Sequence, residues 1–104
     1  MLREVTDRDF DNVVGQAGIP VLVEFWKPGC GSCRRLMHEL ERLESAVTGK
    51  ALILTMNVDE NFQIPAELEV HSLPTLALYH QGEFERFIGG LGTSEEILKQ
   101  LWLT

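Results

Sequence analysis

Cys30 and Cys33 are the two cysteines of the chain, set in the run Lys27-Pro28-Gly29-Cys30-Gly31-Ser32-Cys33-Arg34-Arg35. Residues three apart in a first helical turn share a face, which brings the two sulfurs within reach of each other, since a disulfide needs its α-carbons within roughly 7 Å. Such a pair opens and closes a bridge with little backbone movement. Other uses of Cys-x-x-Cys fit less well. A structural zinc ion takes four ligands, whereas His38, His71 and His80 are scattered over a helix, a loop and a strand end and read as ordinary surface or partly buried residues. Haem attachment requires a histidine directly after the second cysteine, and Arg34 stands there. A purely structural bridge over so short a loop adds little stability, because loop entropy grows with loop length. Thiol–disulfide exchange is the reading that uses every feature.

The two sulfurs are not equivalent. Cys30, at a helix N-terminus, faces unpaired backbone N–H groups and the positive end of the helix dipole, both of which favour a thiolate. It is the expected nucleophile. Cys33, a turn deeper, is the expected resolving thiol, attacking a mixed disulfide on Cys30 and releasing the reduced substrate. Lys27, Arg34 and Arg35 concentrate positive charge around this turn. That charge either favours the Cys30 thiolate further or is ordinary solvated surface charge.

The elements that must hold this pair can be read from the flanking pattern. Val21-Leu22-Val23-Glu24-Phe25-Trp26 is a continuous apolar run of strand length with one carboxylate in it, a central strand. After the breaker-rich turn, Cys33, Leu36, Met37, Leu40, Leu43, Glu44 and Val47 keep helical spacing as far as Gly49. Upstream, Leu2 to Val5 form a short strand, and Thr6 and Asp9 stand in capping-box-like spacing before a helix carrying Phe10, Val13 and Val14, ended by Gly15 and Gly18. Downstream come a strand from Leu52 to Val58 and a short helix from Ile64 to Val70 opened by Pro65. A hairpin of Thr75–Tyr79 and Glu83–Ile88 turns at Gln81-Gly82, and Gly89 and Gly90 break its pairing. A last helix is capped by Thr93 and Glu96 and buries Ile97, Leu98, Leu101 and Trp102. The pattern predicts an α/β fold, a central mixed β-sheet with helices on both faces. The segment from Trp26 to Cys33 is then a strand-to-helix turn at the carboxyl edge of the sheet, where such folds place active sites.

Composition narrows the partners. A chain of 104 residues with 44% hydrophobic content fits one domain over residues 1–104. A net charge of -7 disfavours nucleic acid and anionic membrane surfaces, both of which need clustered Lys and Arg. The charged N-terminus lacks the apolar stretch of a signal peptide or membrane span, so a soluble, cytoplasmic protein is expected, and it is expected to act as a monomer.

The run Val21–Trp26 followed by Cys30-Gly31-Ser32-Cys33 resembles the active-site signature of the thioredoxin family. Asn57-Val58-Asp59, Leu73-Pro74-Thr75, Tyr79-His80-Gln81-Gly82 and Gly90 fall at intervals similar to that family over nearly the whole chain. The resemblance implies a thioredoxin fold and the reduction of protein disulfides, with electrons from a thioredoxin-reductase-type donor. It implies no metal and no bound cofactor. It also implies a cis bond before Pro74, a substrate groove involving Trp26, Gly29, Leu73, Pro74 and Gly90, and docking of an extended client through the Leu73 backbone.

Several residues depart from that family's pattern. Glu24 replaces a buried aspartate behind the resolving cysteine, and burial should raise its pKa. It is either a proton relay to Cys33 or a tolerated polar residue. Thr55 stands at the place of a family lysine near that acid, Ser32 replaces a proline between the cysteines, Gly29 a tryptophan, and His38 a helix-kinking proline. These departures keep two alternatives open: an interaction module on the same fold, and a dedicated oxidant or isomerase with an altered redox potential.

Overall fold

In the computed structural model, which describes residues 2–89 and 92–101, the elements follow in the order β1 (Arg3–Glu4), α1 (Phe10–Gln16), β2 (Val21–Trp26), α2 (Gly31–Ala46), β3 (Leu52–Asn57), α3 (Gln63–Glu67), β4 (Thr75–His80), β5 (Glu83–Ile88) and α4 (Ser94–Leu101). The five strands form one sheet in the order β1-β3-β2-β4-β5. β1 and β2 run parallel to β3, whereas β4 is antiparallel to β2 and β5 to β4. The expected mixed sheet is therefore present, and β2 is its middle strand.

β2 reads as an unbroken apolar run because both its faces are covered. Successive side chains of a strand point to opposite faces. Leu22 joins Leu36, Leu40, Leu43, Ile53, Leu76 and Ile97 in one cluster, under α2 and α4. Val21, Val23 and Phe25 join Phe10, Val14, Leu54, Met56 and Ile64 in another, under α1 and α3. Helices thus cover both faces, as the pattern predicted. Alternation also places Glu24 and Trp26 on the face of Leu22, the one α2 covers.

The hairpin turn is at Gln81-Gly82, with φ of 54° and 82°, the left-handed pair that a tight turn between twisted strands requires. At α4 the Thr93 hydroxyl accepts the Glu96 N–H at 3.3 Å, as expected of a cap. Other boundaries moved. β1 is shorter than Leu2–Val5, covering only Arg3–Glu4. Gly15 lies inside α1, which runs on to Gln16. The Thr6 and Asp9 pair closes a turn ahead of that helix, Asp9 Oδ1 accepting the Thr6 N–H at 2.8 Å, and Asp9 itself is the capping position. α3 is shorter than Ile64–Val70: it starts at Gln63, keeps Pro65 inside, and stops at Glu67, ahead of Glu69 at φ 55°. The expected burial of Trp102 lies outside the described residues.

Candidate active site

The turn from β2 into α2 is built from its own backbone. Gly29 adopts φ 84°, a conformation side chains disfavour, and the Cys30 N–H reaches the Lys27 carbonyl at 3.4 Å. The Trp26 carbonyl accepts the Val58 N–H at 2.8 Å, which ties the end of β2 to the segment after β3. Cys30 is then the N-cap of α2 in extended conformation, its sulfur accepting the Cys33 N–H at 3.1 Å. The sulfur at that position occupies the place of a capping oxygen, against one of the donors that the first turn leaves unpaired.

Cys30 and Cys33 form a disulfide with their α-carbons 5.3 Å apart. Their surroundings differ as the helix geometry requires. Cys30 is partly exposed, whereas Cys33 is 1% exposed, one turn into the helix on its covered side. Ser32 Oγ lies 3.6 Å from Cys30 Sγ, a contact that reading Ser32 only as a missing proline overlooks; a hydroxyl between the two cysteines was its signal. Beside the disulfide, Trp26, Gly29, Arg34 and Met37 line a small cavity of ≈ 70 Å³ with both cysteines. Met37 also borders a second cavity of ≈ 250 Å³ with Trp26 and Thr55. Its sequence pattern had marked it only as an apolar helix position.

Glu24 is 0% exposed, and among the described residues neither carboxylate oxygen has a hydrogen-bond partner. Burial without a compensating charge or donor pushes its pKa from 4.5 up to about 8. The Trp26 indole N–H is likewise buried and has no partner among the described residues.

The Leu73–Pro74 peptide is cis, as the resemblance implied, and the Thr75 hydroxyl donates to the Ser72 carbonyl at 2.6 Å across this loop. Pro74 lines a cleft of ≈ 550 Å³ together with Ser32, Arg35 and Leu36 of α2 and with Thr93 ahead of α4. The fold thus brings Trp26 and Gly29 to the disulfide, and Pro74 to the same cleft as Ser32. Leu73 instead packs partly into the core on the opposite sheet face, and Gly90 lies outside the described residues. His38 is 70% and His80 53% exposed at their side chains, each beside a glutamate rather than near another histidine.

Comparison with known proteins agrees with this geometry. The family model described as Thioredoxin matches residues 1–102. The thioredoxin of Haemophilus influenzae is 42% identical over 79 residues, 76% of this chain and 74% of that protein. The thioredoxin of Rickettsia felis is 40% identical over 83 residues, covering 80% and 79%. That of Staphylococcus epidermidis is 39% identical over 98 residues, covering 94% and 92%. With that match over almost its whole length and a paired Cys30–Cys33 at the head of α2, the chain belongs to the thioredoxin family of thiol–disulfide oxidoreductases.

Proposed function

We infer that the chain reduces disulfides of client proteins through unequal roles for its two cysteines. The observation that carries this reading is the difference in access: Cys30 is partly exposed at the helix cap, while Cys33 is 1% exposed behind it. The Cys30 thiolate attacks one sulfur of the client disulfide, forms a mixed disulfide and expels the client's other sulfur as a thiolate. The Cys33 thiolate then attacks Cys30, closing the Cys30–Cys33 bond and releasing the client's second thiolate. The client gains two electrons and the protein loses two, which a thioredoxin-reductase-type donor restores. Cys33 must shed a proton for its step, and Glu24, on the sheet face under α2, takes it in the molecules whose Glu24 carboxyl is ionised, a fraction that grows as pH approaches about 8. Trp26, Gly29 and Pro74 flank the path of the client chain, with the Leu73 and Gly90 backbones as further docking points. The protein acts as a single domain over residues 1–104, a reading supported by a family match over residues 1–102, and it works as a monomer in the cytoplasm.

The test is insulin reduction with dithiothreitol as donor, alongside trapping from a lysate. Cys33→Ser should accumulate mixed disulfides on Cys30, and Cys30→Ser should accumulate none and lose turnover. Trapping at Cys33 in place of Cys30 would reverse the assignment. Turnover no better than that of Cys30→Ser would sink the reductase reading and favour an interaction module.

A further inference from the structure

We propose that the ≈ 550 Å³ cleft beside the disulfide selects clients carrying an acidic residue next to the target cysteine, with Arg35 as the contact that reads it. The inference rests on the reductase reading above and adds the client's chemistry to it. The protein carries a net charge of -7, yet Lys27, Arg34, Arg35 and Arg42 lie within sixteen positions around the cysteine pair. Arg35 is the one of these that lines the larger cleft with Ser32 and Pro74, and it lies beside the reacting turn: a Cβ built on Gly31, between the two cysteines, would lie 3.7 Å from Arg35 Nη1. Arg35 is exposed, and it has no carboxylate partner among the described residues. A guanidinium held open at such a place offers paired N–H donors to a carboxylate.

The acids nearby do not cancel it. Glu39 lines the same cleft, but both its oxygens are engaged: Oε1 accepts the Ser94 N–H at 2.9 Å, and Oε2 lies 3.6 Å from Arg42. Glu96 stands at the far lip, where a Cβ on Gly92 would come within 2.7 Å of its Oε2. The cleft is therefore positive at the end next to the disulfide and negative at the end next to α4. A client chain threaded past Pro74 presents the residues flanking its cysteine to the positive end.

The whole-molecule field makes this inference sharp, because a net negative protein attracts basic clients at long range. An acidic preference can arise only from the local contact. Salt of about 0.1 M screens charges more than roughly 10 Å apart and leaves a direct contact largely intact. The test is single-turnover oxidation of the pre-reduced protein by two synthetic disulfide peptides at that salt. The peptides are identical except for Asp or Lys at the positions flanking one cysteine. The Asp peptide should react roughly threefold to tenfold faster, and Arg35→Glu should abolish or invert the ratio, with Arg35→Gln bringing it near one. Equal rates for the two peptides, faster reaction of the Lys peptide, or an Asp preference that survives Arg35→Glu would overturn the inference and leave the reductase reading standing. Failure of both peptides to react at all would bring down the inference and the reductase reading together.

Discussion

Glu24 and Thr55 are register partners across the parallel strands β2 and β3, and both are buried, at 0% and 5% exposure. A cation at the Thr55 position would hold the carboxylate charged. The threonine brings no charge, so the acid meets burial alone and its pKa rises to about 8.

This relationship gives stability a particular dependence on pH. Between Glu24's ordinary value of 4.5 and about 8 the unfolded chain has released the proton and the folded chain still holds it. The folded state binds more protons in that window, so this group's contribution is full below 4.5 and is lost as pH rises through about 8. Glu24→Gln removes that slope without removing the buried polar group. In urea titrations the variant should gain on the wild type between pH 5 and pH 8, by on the order of 3 kcal/mol. Parallel stability curves for the two proteins would show that the carboxyl titrates in the ordinary way. The same substitution should slow insulin reduction if Glu24 takes the Cys33 proton, and an unchanged rate and pH profile would remove it from the mechanism.

The sequence carried the features that local physics determines. Five apolar residues and one carboxylate from Val21 to Trp26 read as a central strand, and the structure covers that strand on both faces. Gln81-Gly82 had the residues that a left-handed turn needs, and Thr93 with Glu96 had cap spacing. Cys30 and Cys33 were legible because three residues of helix fix their separation whatever the rest of the chain does. What stayed hidden was decided by distant parts of the chain. The end of α3 follows from a left-handed Glu69 that no breaker residue marks. The start of α3 depends on Asp7, more than fifty residues earlier.

Asp7 provides a second pH-dependent test, of opposite sign. Its Oδ2 accepts the N–H groups of Phe62 and Gln63 at 2.7 and 2.9 Å, and its Oδ1 accepts that of Ile64 at 2.9 Å. Burial alone would raise its pKa, but the three donors together outweigh it and hold the carboxyl below 3.8. As pH falls, the unfolded chain takes up this proton first, so the stabilisation is complete above 3.8 and disappears as pH drops through the folded value. Asp7→Ala should cost about 1–2 kcal/mol at neutral pH, the usual loss for a capping carboxylate. The gap from wild type should narrow below pH 3.8 in acid titrations followed by circular dichroism. A gap that stays constant down to full protonation would mean that packing, rather than the charged cap, anchors α3.

Ser32 sets the last test, at the reacting sulfur itself. Its Oγ is 3.6 Å from Cys30 Sγ in the disulfide form. Reduction turns that sulfur into an acceptor carrying charge, and a hydroxyl at this distance can rotate to donate to it. The thiolate is the reactive species, so a donor that stabilises it raises the fraction available for attack near neutral pH. Hydrogen bonds to charged groups are worth about 1.5–3 kcal/mol when sheltered and less when exposed. Ser32 is exposed, which makes roughly a threefold effect the reasonable scale. Alkylation of reduced Cys30 by iodoacetamide at pH 6 should therefore be about threefold slower in Ser32→Ala than in the wild type. Ser32→Thr, which keeps the hydroxyl, should stay close to the wild type. Ser32→Pro should behave like Ser32→Ala, since it too lacks the donor. Above the pH at which the thiol is fully ionised, the four proteins should converge, because the donor then no longer changes how much thiolate is present. Equal rates for all four at pH 6 would show that the hydroxyl leaves Cys30 unaffected, and the helix N-terminus would then be the main source of thiolate stabilisation at this turn.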